Sequence, residues 1–125
     1  MTAINFTEKL SLFAEHWSPK VIAELNDIQF KLVKFKGDFV WHRHDDTDEA
    51  FIVIKGQMQI GFRVHLSGAE REVTVREGEL FVIQKGVEHI TRAQNECHAM
   101  IIESRGVINT GATGGKKTAP NDVWI

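Results

Sequence analysis

An all-β sandwich or barrel preceded by one short helix is the fold that this sequence predicts, and three observations carry that expectation. From Gly37 onward, glycines punctuate a series of apolar runs of strand length. Met58, Ile60, Phe62 and Val64 alternate with Gln57, Gln59, Gly61 and Arg63, the period-two pattern of a strand with one buried face. A turn-prone pair, Asn26-Asp27, separates two further apolar runs in the manner of a hairpin. That rhythm differs from the alternating strands and long helices of a nucleotide-binding fold.

Each element follows in chain order. Phe6, Leu10, Phe13, Ala14 and Trp17 recur at spacings of three and four, with Asn5 or Thr7 placed to cap, so a short amphipathic helix is expected, ended by Pro19. Residues 21–25 and 28–35 form the hairpin strands. Residues 50–54 are apolar at every position, so both faces of that strand should be covered. Val73 with Val75, residues 80–83 and residues 99–102 supply further strands, separated by Ser67-Gly68, Glu77-Gly78, Lys85-Gly86 and Asn95-Glu96. Residues 109–118 turn small and polar before the apolar end Val123-Trp124-Ile125, which reads as a loop or tail whose end docks. The expected division is a single domain over 1–125: a helical segment at 1–19, a barrel at 20–105 and a C-terminal loop or tail at 106–125.

Composition narrows the function. A chain of 125 residues with 42% apolar content can bury one core, and two ordinary domains would not fit. Fifteen basic residues stand against seventeen acidic ones, and the basic residues are scattered, so no nucleic-acid partner is expected. The apolar runs are too short for a membrane span. With a single cysteine, Cys97, and an N-terminus without a signal-like apolar segment, a cytoplasmic protein is expected. Asn5-Phe6-Thr7 matches a glycosylation acceptor, which has no consequence without secretion.

The chemistry concentrates in two segments. His42 and His44 stand two apart in Trp41-His42-Arg43-His44, Glu49 follows, and His89 closes Gly86-Val87-Glu88-His89. On an extended segment the pleat sends His42 and His44 to one face, with Cα atoms about 7 Å apart. The acidic turn at 45–48 returns the chain so that Glu49 comes back beside them. Three neutral imidazoles and a carboxylate suit one divalent transition metal, namely Fe, Mn, Ni, Co or Zn. Around a six-coordinate ion they leave two neighbouring positions for a small oxygenated molecule or dioxygen. Ligation needs deprotonated nitrogens, so affinity is expected to fall as pH drops through the ordinary histidine range near ~6.5.

These residues give the chain a resemblance to the cupin superfamily over Gly37 to Ala93. The first motif looks like Gly37, His42, His44, Glu49 and Gly56, and the second like Gly78, Gln84-Lys85-Gly86 and His89. Three positions depart from the pattern: four residues separate Gly37 from His42, Gln84 replaces a proline, and Ala93 replaces an asparagine. None removes a ligand. The resemblance, which is to small single-domain members of type 2, implies a double-sheet jelly roll, metal ligation by His42, His44, Glu49 and His89, and a homodimer. It does not name a reaction, because dioxygenases, isomerases, decarboxylases and plain binding proteins share the scaffold.

Competing readings remain beside these. Asp48 is an alternative carboxylate to Glu49. Cys97 and His98 read first as ordinary strand residues and second as groups beside the site. His16 reads as a helix end and His65 as a turn. Phe35, Trp41, Phe51 and Met100 are core residues or pocket walls. Residues 111–116 imitate a phosphate loop but lack its first glycine and its strand-loop-helix setting. The expected function is therefore a metal-dependent enzyme on a small oxygenated molecule, an oxygenase, isomerase or decarboxylase with no base assigned. A non-catalytic ligand-binding or sensing module is the alternative.

Overall fold

The computed structural model describes residues 1–64 and 66–125; the turn expected at His65 lies outside the described residues. Strand β1 (Lys20–Leu25) enters β2 (Ile28–Asp38) through the Asn26-Asp27 turn, with Leu25 opposite Ile28. Asn26 takes a positive φ of 55°, a conformation asparagine accepts at lower cost than most residues. The remaining strands are β3 (Glu49–Lys55), β4 (Gln57–Arg63), β5 (Glu70–Arg76), β6 (Leu80–Ile83) and β7 (His89–Ser104).

All pairings between these strands are antiparallel, in the order β1-β2-β7-β3-β6, with β4 joined to β7 and β5 to β4. The 16-residue β7 makes this a jelly roll. Its first part pairs with β4, from Phe62↔His89 to Gln59↔Arg92, and its last part lies between β2 and β3. The separate strand expected at 99–102 is thus the end of one long strand that begins at His89. Gln94, Asn95 and Glu96 are exposed where β7 passes from one sheet to the other, and their polarity imitates a turn while the backbone stays extended.

The N-terminal helix is shorter than the spacing predicts. α1 spans Phe6–Leu10, with Asn5 accepting from the Glu8 amide at 2.9 Å, and the chain leaves it at Ser11 rather than at Pro19. Phe13 and Trp17 explain why. Phe13 joins Leu10, Ile22, Leu32 and Met100 on the outer face of the sheet, whereas Trp17 enters the barrel among Phe35, Phe39 and Phe51. No single helix face reaches both clusters. Trp17 instead adopts φ 62°, donates its amide to Lys34 O and lies against Phe35 and Phe39 with ring centroids 4.8 Å away.

Along β3 the burial alternates. Glu49, Phe51 and Val53 face the interior, while Ala50, Ile52 and Ile54 are only half-buried on the outer face. β4 buries Met58 and Ile60, and β5 buries Val75, as their patterns predict. The C-terminal end docks: Val123 O accepts from the Val21 amide at 2.7 Å, and Ile125 packs on the outer cluster.

Candidate metal centre

The backbone brings the four residues together before their side chains are considered. His42 and His89 form a reciprocal antiparallel bridge, with N to O distances of 2.9 and 2.8 Å, and Gly86 N donates to His44 O. The segment carrying His42 and His44 therefore runs extended along the approach to β7. Glu49 heads β3, and the turn between them is fixed by Asp48, whose carboxylate accepts from the Lys85 amide at 2.8 Å. Asp48 is exposed and committed to that turn, which leaves Glu49 as the inward carboxylate.

His42, His44, Glu49 and His89 are all buried, and one ligand atom from each lies within 4.8 Å of the others. His42 Nδ1 donates to Val40 O at 2.8 Å and His89 Nδ1 to Val87 O at 2.9 Å. Each bond fixes the tautomer that turns the Nε2 lone pair inward. His89 Nε2 stands 3.5 Å from Glu49 Oε1, and His44 Nε2 stands 3.6 Å from Glu49 Oε2. His44 Nε2, His89 Nε2 and Glu49 Oε1 have no hydrogen-bond partner. Buried polar atoms facing one another without a partner are costly. A cation among them removes the cost, and the donor set suits a divalent metal.

The electrostatics agree. Burial lowers the pKa of His42 to about 3, with the neighbouring His89 and His44 adding to the effect against the Val40 bond. Burial likewise lowers His44 and His89 and raises Glu49. Near neutral pH the imidazoles are uncharged, so their contacts with Glu49 are not ion pairs.

The strands also bring in groups that the motif reading missed. Glu103 is the β7 partner of Glu49 on one side and of Gln29 on the other, and it is buried. Its Oε1 accepts from Lys31 Nζ at 2.8 Å, and both side chains are nearly inaccessible. Burial and the adjacent Glu49 carboxylate push the Glu103 carboxyl well above the usual range, against the pull of Lys31. The signal was present in the sequence. Glu103 continues the inward period of Ala99 and Ile101, and Gln29 and Lys31 continue that of Val33 and Phe35.

A cavity of about 20 Å³ lies beside the cluster, walled in part by Trp17, Phe35, Phe39 and Phe51 and touched by His42, Glu49 and Glu103. That is room for roughly one water. On the other side His44 borders an open groove of about 360 Å³ with Arg43, Asp45 and Gly111. Of the expected walls, Phe35 and Phe51 line the cavity. Met100 belongs to the outer cluster, and Trp41 lies under the Arg63 guanidinium, 4.1 Å from its ring centroid. His98 and His16 both bind Glu96, each at 2.8 Å, away from the site. Cys97 is a core residue whose thiol burial pushes up to about 12, so it is an inert group.

A jelly roll with three inward imidazoles and a carboxylate at one end of its interior defines a class, and comparison with known proteins agrees. Residues 31–103 match the Cupin_2 family, described as a cupin domain, and the chain belongs to that family. The uncharacterized protein YdbB of Bacillus subtilis is 37% identical over 73 residues, which cover 58% of this chain and 59% of YdbB. A cupin-2 domain containing protein from Shewanella frigidimarina is 58% identical, with a TM-score of 0.75 over 82% of this chain and 94% of that one. Protein NMB1881 of Neisseria meningitidis is 34% identical, with a TM-score of 0.71 over 82% and 99%. Hydroquinone 1,2-dioxygenase from a Sphingomonas species shares the fold at 22% identity, and this chain spans 32% of its length.

Proposed function

We propose that this cupin holds one divalent transition metal through His42, His44, Glu49 and His89 and uses it to bind, or act on, a small oxygenated organic molecule. The observation that carries the reading is the set of inward, partnerless polar atoms in one buried cluster. Bound there, the metal would supply Lewis acidity or redox chemistry. The chain's own residues do the rest. Val40 O and Val87 O hold two imidazoles in register, and the aromatic walls leave room for roughly one water. Glu103 places a second carboxyl beside the centre. Hydroquinone 1,2-dioxygenase, solved with 4-nitrophenol, supports the oxygenase branch by fold alone.

The space on the Trp17 side of the cluster is smaller than any organic substrate, so a substrate approaching from that side requires Trp17 or the residues over the mouth to shift. Asn109 is central to that cover: its Nδ2 donates to Trp17 O and Lys117 O, and its Oδ1 accepts from Ala119 N.

The reading includes a homodimer formed through the outer face. Leu80 and Val82 are exposed on the edge strand β6 beside the half-covered Ala50 and Ile52, an apolar face that a second copy would cover. Sedimentation as a monomer at micromolar concentration would overturn that part. A cytoplasmic location fits the lone, unpaired Cys97.

Elemental analysis of protein purified without added metal is the first test, and at least one equivalent of Fe, Mn, Ni, Co or Zn is expected. Reloaded protein is then screened with small phenols, hydroxy acids and keto acids. Metal-dependent turnover that disappears in His44→Ala supports the enzyme; saturable binding without turnover supports the ligand-binding alternative. Failure of every metal to bind defeats the proposal.

A further inference from the structure

The interior apolar cluster of this barrel holds one side chain that no strand supplies. Every other member lies on a barrel strand or, for Phe39, one residue past the end of β2. Trp17 instead comes from the stretch between α1 and β1, after Leu10 and Phe13 have packed on the outer face. Its backbone is strained by the insertion. The other non-glycine residues with positive φ among the described residues are Asn26 and Asp122, whose short polar side chains accept that conformation locally; a bulky aromatic residue does not. Such strain persists only where the surroundings hold it, and it collects at ligand clamps and switches. What holds the Trp17 backbone is slight: its amide donates to Lys34 O at 2.9 Å, and its carbonyl accepts at 2.9 Å from Asn109, a residue of the irregular C-terminal loop.

The place that the indole fills has the shape and chemistry of a berth for a flat ring. Phe39 lies nearly parallel to it, with 18° between the planes, and Phe35 is tilted by 31°, each with its centroid 4.8 Å away. The His42 ring stands perpendicular to Phe39 at 5.3 Å. The small cavity beside the indole is touched by His42 and Glu49, so the berth opens on two of the four grouped residues. The Lys117 ammonium stands 5.6 Å from the indole centroid, a placement that favours an electron-rich ring. Resting on the metal-binding reading above, we propose that Trp17 occupies the substrate's place, and that the substrate is a phenol-class aromatic molecule that binds by displacing the indole and turning its hydroxyl toward the ion. An indole is larger than a single six-membered ring, and a dry apolar cavity of about 150 Å³ holds benzene. Aliphatic oxygenated molecules forgo stacking on the two phenylalanines, a loss of roughly 5–150-fold in affinity for two such contacts.

Metal-free Trp17→Ala, titrated with phenol and with cyclohexanol by calorimetry, tests the berth without the ion. Phenol is expected to bind saturably and roughly 5–150-fold tighter than cyclohexanol. A folded variant that binds neither, or both alike, overturns the aromatic berth. Displacement is read in wild-type protein loaded with cobalt(II) and labelled with 5-fluorotryptophan, with catechol as the probe. The fluorine resonance of Trp17, assigned by its loss in Trp17→Phe, should move to the solvent-exposed range and gain a deuterium isotope shift. A cobalt spectrum altered by catechol with the Trp17 resonance unmoved overturns displacement, and a cobalt spectrum that catechol leaves unchanged overturns the substrate class. Cobalt-loaded Trp17→Ala should bind catechol about 10–1000-fold tighter than wild type, since a berth vacant about 0.1–10% of the time is then always open. Weaker binding there would make Trp17 a wall that the ring packs against, and the proposal fails. If Trp17→Ala does not fold, the fluorine resonance decides. Wild-type protein that binds no cobalt fails the metal reading itself, and phenol on the metal-free variant then still decides the berth.

Discussion

The interior of this barrel has two regions built from the same strands. Toward one end β3 contributes Val53, β4 Met58, β5 Val75 and β7 Cys97 with Ala99, a fully apolar packing with almost no exposure. Toward the other, β3 contributes Glu49, β2 Gln29 and Lys31, and β7 Glu103 with His89, all equally buried. Burial therefore does not distinguish the regions. What differs is satisfaction: every partnerless buried side-chain atom among the described residues belongs to the polar region. One end is built to hold the fold together, and the other carries a cost that an ion would relieve.

The largest effect expected to separate them is pH. His42, His44 and His89 have depressed pKa values in the fold, His42 to about 3, while in the unfolded chain they titrate near ~6.5. As pH falls below ~6.5 the unfolded chain therefore takes up protons that the folded chain refuses, and stability falls. The two acids act oppositely. Their folded pKa values are raised, so they favour the fold as pH drops and oppose it as pH rises through those values. Metal-free protein should therefore lose stability as pH falls from ~6.5 toward ~5, with His42 contributing the full uptake of one proton and the two acids offsetting part of the rest. Urea titrations of chelator-treated protein at several pH values measure this, and a flat profile would contradict the neutral-imidazole assignment. The same shifts revise the expectation of ordinary imidazole competition. In the folded state proton competition at the histidines moves below their ordinary range.

Next in size is damage to the apolar region. Met58→Ala removes a fully buried side chain opposite Val75 and should cost about 2–5 kcal/mol of stability while leaving cobalt affinity unchanged. His42→Ala sharpens the comparison from the other side. If four protein ligands share the ~10–16 kcal/mol typical of a structural zinc site, losing one costs about 3 kcal/mol, or roughly 100-fold in affinity. The metal-free fold should be little harmed, since no buried charge is stranded. Calorimetry and thermal melts on the two variants together form the check, and crossed effects, with metal affinity lost in Met58→Ala or stability alone lost in His42→Ala, would dissolve the distinction.

How far the two regions were legible in the sequence follows the same division. The hairpin, the alternating β4 and the four clustered side chains rest on local period and spacing, which one strand or one motif displays by itself. The long β7 was hidden because exposed Gln94, Asn95 and Glu96 read as a break where the strand only changes sheets. The helix was overextended because Phe13 and Trp17 keep helical spacing while burying in separate clusters. Glu103 and Lys31 were in phase with buried neighbours, yet their pairing with each other and with Glu49 depends on the order β2-β7-β3, which no local pattern encodes.

The smallest effect concerns the cover over the polar region, which the apolar region lacks. Gly111 lies against the segment carrying the histidines, with φ 58°, and a Cβ there would overlap the Arg43 carbonyl oxygen next to His44. Asn109, two residues earlier, makes the three hydrogen bonds that tie this loop to Trp17, Lys117 and Ala119, at 2.9, 2.8 and 3.0 Å. At ~0.5–1.5 kcal/mol each, Asn109→Ala should loosen the loop by about 1–3 kcal/mol after partial replacement by water. That loss is local, because the loop adds no strand to the sheet, so global melting should move little while opening becomes more frequent. Trypsin cleavage at Lys116 and Lys117 should accelerate roughly 5–100-fold, in proportion to the open population. Chelator removal of cobalt should quicken in the same variant, because His44 lies beneath the loop. Faster proteolysis with unchanged metal release would show that the ion leaves by another route, through the side occupied by Trp17.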